Sequence, residues 1–229
     1  MKKSLKGKIV FISVASLGIG TETAYKFAEE GCKLAITYYR DKEKAIEVSE
    51  RCKKLGASDV LVLHLDVMNN ESIAGAVKQV VQHYHEISIL INNAGVIVWK
   101  QLKEQSFGEI ESQIRTNLEG LVKLTKECLP YVKDVIINLG SAAGKAGYGD
   151  LTAYCGAKFG VRGFSEALSQ ELPNVMVYTV NPGVTATRMN EFQGMPPEDV
   201  ANIIVNTAKG EYKVESGSDV DVWKVTKQH

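Results

Sequence analysis

In the stretch YCGAK, residues 154–158, a tyrosine and a lysine stand four positions apart, which puts both on one face if the segment is helical. A phenol titrates near ~10 and is a poor base at neutral pH. An ammonium held beside it favours the phenolate. Bringing the phenol's pKa to neutrality takes roughly 4 kcal/mol of differential stabilisation, which only a water-poor site supplies. Tyr154 and Lys158 are therefore candidates for proton transfer. Ser141, which closes VIINLGS, ends the apolar run that precedes this segment. The competing reading of the tyrosine and lysine alone is a shared solvated helix face.

A second group lies near the start. In KIVFISVASLGIGTETAYKFAEEG, residues 8–31, an apolar run ends in a polar turn, Gly18 and Gly20 follow, and a helical pattern takes over. Glycines at such a turn let the backbone approach a pyrophosphate, which sits at the helix N-terminus where free N–H groups and the helix dipole favour anions. Val14 stands where such a loop carries its first glycine. A β-branched residue resists positive φ, so this turn either keeps position 14 in the β region or is strained. INNAG, residues 91–95, follows another apolar run, and NPG, residues 181–183, a later one.

These groups need a scaffold. KIVFIS, KLAITYY, DVLVLHL, ISILIN, DVIINLG and VMVYTV are short, rich in Val and Ile, and bounded by Gly, Asp or Asn, as strands buried on both faces are. SDVDVW predicts a last short strand. Between them run amphipathic segments such as TETAYKFAEEG and KEKAIEVSERCKKLG, each ending in glycine. This alternation predicts a doubly wound parallel sheet in a three-layer α/β/α sandwich, and with no linker, repeat or low-complexity tract it predicts one domain over 1–229. Hydrophobic residues are 45% of the chain and formal net charge is zero, which opposes a nucleic-acid or anionic-membrane binder. Cys32, Cys52, Cys128 and Cys155 are scattered and histidines are not clustered, so neither a metal site nor a disulfide framework is expected. No apolar stretch approaches the ~20 residues of a bilayer span, and the basic start lacks a signal peptide's core. The expected location is the cytoplasm.

The ordered set of glycine loop, NNAG, Ser141, Tyr154 with Lys158, and NPG resembles the short-chain dehydrogenase/reductase family in its single-domain form, over nearly the whole chain. The resemblance implies a Rossmann fold and hydride transfer between a nicotinamide dinucleotide and a carbonyl or secondary alcohol. It makes Tyr154 the acid/base, Lys158 its pKa-lowering partner and ribose holder, Ser141 the substrate-oxygen donor, and Asn117, in IRTNLEG, the support of a proton relay. The cofactor set it implies is Ser13, Ser16, Gly18, Ile19, Gly20, Arg40, Asp66, Val67, Asn92, Ala94, Gly95, Tyr154, Lys158, Pro182, Gly183, Thr185 and Thr187. Asp66 read as a helix cap, Thr187 as a loop hydroxyl and Asn117 as a mid-helix polar residue are the plain alternatives. Two departures stand out: Ser13 and Val14 replace the family's Thr-Gly opening, and ESGSDVDVWKVTKQH replaces its frequent Gly-rich ending.

After strand two, Tyr38 holds the position where NAD sites place an acid, and Arg40 follows, which favours NADP(H) over NAD(H). Asp41 and Leu17 pull the other way. Trp99, Tyr148, Met189 and Phe192 are candidates for an apolar substrate wall or for plain packing, with Val96 near the cofactor. The resemblance implies a homodimer or homotetramer joined through the Tyr154 helix and residues 107–129, with Phe159, Phe164 and Leu168 either at the contact or in the plain core. The rival reading is a dinucleotide-binding sensor on the same fold without catalysis.

Overall fold

The computed structural model describes residues 4–187, 189 and 191–226; Arg188 and Asn190 of the segment after Thr187 lie outside the described residues. Seven parallel strands form one sheet: β1 (Ile9–Ile12), β2 (Lys33–Tyr38), β3 (Asp59–His64), β4 (Ile87–Asn92), β5 (Val132–Leu139), β6 (Met176–Asn181) and β7 (Asp219–Asp221), in the order β3-β2-β1-β4-β5-β6-β7. All seven match segments expected from the sequence to within about two residues. The order turns around between β1 and β4, and in sheets of this kind ligands bind in the crevice outside the strand ends at that point.

Alternating side chains divide the core into two layers. Val10 and Ile12 join Leu34, Ile36, Ile89 and Ile91 under α1 (Gly18–Glu29), α2 (Lys42–Leu55) and α7 (Pro197–Ala208). Ile9 and Phe11 join Leu90 and Ile136 under α3 (Asn70–Tyr84), α5 (Gly120–Cys128) and α6 (Thr152–Glu171). Fully burying a side chain such as Phe11 or Phe27 contributes about 1.5–3 kcal/mol. Local signals set the helix starts: Asp41 caps α2 through the Lys44 amide and Asn69 caps α3 through the Ser72 amide. Ser106 and Glu109 form a reciprocal capping box at α4 (Phe107–Ile114). A π-helical turn, Arg115–Glu119, separates α4 from α5, so residues 107–128 are not one regular helix.

Of the two alternatives for Leu168 and Phe164, the core is the one realised: Leu168 is buried in it and Phe164 packs against it. Phe159 stays exposed, as do Phe107 and Ile114 of α4. All four cysteines are buried free thiols, and burial pushes Cys32 and Cys52 up to about 12. No described helix is long and apolar enough to cross a membrane.

Candidate active site

The turn after β1 is fastened on three sides. The Ser13 amide donates to the Ile91 carbonyl (3.0 Å), and the Ser13 hydroxyl accepts from the Asn93 and Ala94 amides (2.9 and 3.0 Å). Val14 has φ of 56°, the left-handed conformation that glycine adopts freely. The strained alternative is therefore the one realised. Its amide donates to the Thr37 hydroxyl (2.8 Å) and its carbonyl accepts from the Asn93 side chain (2.7 Å), which holds the conformation in place. The isopropyl group packs against the core layer under α3, α5 and α6. Left-handed backbone at such a residue costs about 1–3 kcal/mol. Glycine at 14 releases that strain but loses the packing, whereas alanine keeps the strain and loses the packing as well. Val14→Ala is therefore expected to melt below Val14→Gly, the reverse of the order at an ordinary position. Thermal melts showing alanine as the more stable variant would contradict the left-handed turn.

Gly18, with φ of 58°, begins α1. A Cβ on Gly20 would run into the Val14 carbonyl oxygen, so the helix enters tightly against the turn. The α1 N-terminus has neither a side-chain cap nor an acid in its first turn, and a pyrophosphate fits those donors. Leu17 is its N-cap residue, Ser16 is buried, and Ile19 packs on the core layer under α1, α2 and α7, so Ile19 offers its backbone. Thr187 lies over Gly18, with its methyl group 3.1 Å from where a Cβ would stand. The Thr185 hydroxyl is turned to the Gly183 carbonyl (3.1 Å), and the Pro182 carbonyl accepts from the Ala142 amide (2.8 Å).

After β4, two adjacent asparagines divide the work differently from the expectation. Asn92 was placed on the cofactor's ribose side, but its side chain is buried and donates to Thr125 (2.8 Å) and Asn138 (2.7 Å), tying α5 and β5 to β4. Asn93, not singled out from the sequence, is the one that holds the glycine turn. Neighbouring residues at a strand end face opposite ways, so NNAG allows only one of the two asparagines to face the loop without saying which. Ser13 likewise proves a clamp between the two loops. Asp66 does not cap α3, because Asn69 does; its carboxylate accepts from the Met68 amide (2.9 Å), and Val67 is buried beside Gly120.

The expected catalytic residues come together around Gly95. Asn117 sits in the π-helical turn, where its side chain donates to the Val96 and Gln113 carbonyls (both 2.8 Å) and accepts from the Val96 amide (3.1 Å). A Cβ on Gly95 would meet Asn117 Oδ1 at 2.8 Å and lie 3.9 Å from Lys158 Nζ, so glycine leaves room for that approach. Ser141 is extended, its hydroxyl accepting from the Ala143 amide (3.1 Å) on the side of the site that faces Tyr154. Burial raises the Tyr154 pKa and Ser141 only partly opposes it, so the phenol keeps its proton. Lys158 is buried, with Nζ 5.7 Å from the centre of the Tyr154 ring and donating to the Leu139 carbonyl (2.7 Å). Burial lowers the ammonium to about 8. Lys158 Nζ is thus directed at the β5 backbone, with the Tyr154 ring beside it.

The family model for short chain dehydrogenases matches residues 8–196. The chain belongs to that family. It is 32% identical over 228 residues to estradiol 17-beta-dehydrogenase 11 of Macaca fascicularis, covering 93% of this chain and 75% of that protein. The match to the rat counterpart covers 58% of that protein. An NADP-dependent 3-hydroxy acid dehydrogenase of Schizosaccharomyces pombe is 29% identical over 224 residues, covering 88% of this chain and 86% of the other. Among solved structures, a Burkholderia cenocepacia short chain dehydrogenase in complex with NADP superposes with a TM-score of 0.88 at 23% identity, covering 96% and 97% of the two chains. The fold is shared at that level. The related proteins are dehydrogenases and reductases, and this chain is an enzyme of the same family, which uses NAD(P).

Proposed function

We propose that residues 1–229 form one NADP(H)-dependent oxidoreductase domain that interconverts a carbonyl and a secondary alcohol, with Tyr154 as the acid/base. The observation that supports this most is the convergence of Ser141, Tyr154, Lys158 and Asn117 beside the loops at the sheet's switch point. A sensor without catalysis has no use for that set. The backbone of Gly18 and Gly20, with Thr187 above them, would hold the pyrophosphate; Ala94 and Gly95 would line the ribose, and Asp66 with Val67 the adenine. Hydride comes from or goes to the nicotinamide ring when the dinucleotide is bound. In reduction, Tyr154 Oη gives its proton to the substrate oxygen while Ser141 Oγ donates a hydrogen bond to the same atom. In oxidation, Tyr154 takes the proton back. Lys158 Nζ and Asn117, both close to Gly95, carry the replacement proton. Exposed Trp99, Tyr148, Met189 and Phe192 offer an apolar rim for the rest of the substrate.

NADP(H) is favoured by Arg40, exposed after β2 with its guanidinium 5.0 Å from the Tyr39 ring centre. Asp41, the competing acid, is occupied as the α2 cap. A charge-assisted bond to a 2′-phosphate is worth roughly 1.5–3 kcal/mol before solvent screening, so NADPH is expected to bind about tenfold more tightly than NADH. Arg40→Ala should close most of that gap. Calorimetric titration with both cofactors, followed by a carbonyl-compound activity panel, tests the reading; equal affinities would remove the Arg40 argument, and no turnover with any carbonyl would remove the catalytic one. The exposed Phe107, Ile114 and Phe159 support a homodimer or homotetramer, and light scattering on the same sample should return two or four chain masses.

A further inference from the structure

Behind Ser141 lies a charged cluster that the proton chemistry leaves without a task. Pairing of β6 with β7 sets Thr179 beside Asp219 and Asn181 beside Asp221. The Asn181 side chain accepts from the Ser141 amide (3.2 Å) and donates to Asp219 (3.1 Å) and Asp221 (3.0 Å). Lys145, four residues after Ser141, donates to Asp219 (3.0 Å) and to both oxygens of Asp221 (3.0 and 2.9 Å). Arg162 follows Lys158 by four positions on α6, as Lys158 follows Tyr154, and donates to Asp219 (2.8 Å) and to the Gly144 carbonyl (2.9 Å). Lys224 completes the set on Asp221 (2.8 Å). Loop and helix touch directly at this seam, since a Cβ on Gly144 would lie 2.7 Å from the Lys158 carbonyl oxygen.

Burial works against the two carboxylates, but hydrogen bonds from Arg162, Lys145, Lys224 and Asn181 outweigh it and hold both below the usual carboxylate range. Buried ion pairs are weak sources of net stability, because desolvation offsets the attraction, yet breaking one is costly. What this cluster supplies is direction: two carboxylates on one short strand receive bonds from the Ser141 loop and from the helix that bears Tyr154 and Lys158.

We propose that Asp219 and Asp221 are positioning residues of the reaction, fixing Ser141 against the Tyr154 and Lys158 face of α6 through Asn181, Lys145 and Arg162. The proposal rests on the oxidoreductase reading for its catalytic consequence and on the bonds above for its anchoring. Asp221→Asn and Arg162→Gln, singly and together, test it by steady-state kinetics, NADPH calorimetry and hydrogen exchange of segments 141–148 and 152–162 without substrate. A displacement of about 1 Å between reacting groups costs up to about a hundredfold. Each single variant should therefore lose about ten- to a hundredfold in kcat, with KM and NADPH affinity little changed, and exchange faster in those two segments alone. The double variant should fall short of the product of the single losses, because both changes act on one network. Should Asp221→Asn fail to fold, Lys145→Met, which retains both carboxylates, takes its place. A lower melting temperature with unchanged kcat, or unchanged exchange in both segments, would overturn the proposal. An inactive unmodified protein would instead count against the oxidoreductase reading, and the exchange measurements would still decide whether the anchor exists.

Discussion

Tyr154→Phe folds, binds NADPH as the unmodified protein does, and turns over at least about a hundredfold more slowly. Removing one positioned acid/base forfeits about 10²–10⁴-fold in rate, and here only the Tyr154 hydroxyl is lost. The ring keeps its packing against Ala143, Leu151 and Cys155, so melting temperature should change little. The cofactor contacts assigned to Gly18, Gly20 and Lys158 are untouched. Steady-state rates with a responsive carbonyl compound, set beside calorimetry, check both halves. A phenylalanine variant that keeps more than about a tenth of the activity would remove Tyr154 from the chemistry.

Lys158→Met is expected to lose turnover and cofactor affinity while gaining stability at neutral pH. The ordinary lysine value of 10.5 falls to about 8 in the folded chain because burial penalises the charged form. Below about 8 both folded and unfolded chains carry the proton, and the fold bears the whole burial penalty, roughly 3 kcal/mol. Between about 8 and 10.5 the unfolded chain binds more protons than the folded one, so stability from this group rises with pH. Methionine has no such dependence. Losing the bond to the Leu139 carbonyl offsets part of the gain, leaving about 1 kcal/mol at pH 7. The signature is the difference between the two proteins' unfolding free energies in urea, which should shift toward the unmodified protein as pH rises from 7 to about 10. A pH-independent difference would contradict a lysine held at a cost inside the core.

The strands were legible because a parallel sheet covered on both faces leaves almost uninterrupted apolar runs; ISILIN coincides with β4 residue for residue. Ser141, Tyr154 and Lys158 were legible because helix periodicity and the preceding strand together determine which side chains meet. Direction was harder to read. NNAG does not reveal which asparagine faces the core and which faces the loop, since that depends on the last residue of β4 still belonging to the strand. The spacing of Tyr154 and Lys158 places both on one face, but the ammonium's choice of the Leu139 carbonyl depends on β5, nineteen residues away in sequence. Residue preferences alone argue against a left-handed Val14; bonds from Thr37 and Asn93 impose it. SDVDVW read as an ordinary short strand, and its aspartates gained meaning only when β7 paired with β6 beside Asn181.

The π-helical turn ties the site to the number of residues in a segment as well as to their identities. There the Gly120 amide reaches back five residues to the Arg115 carbonyl, where a regular helix would reach back four. Each residue advances a helix by about 100° around its axis. Shortening this stretch by one residue would therefore restore a regular ladder while swinging Asn117 about that far away from Val96 and Gly95. No side chain need change for the asparagine to be lost. Chain length between Phe107 and Cys128 acts as a coordinate of the active site, and a deletion there would be felt more sharply than most exchanges of one residue for another.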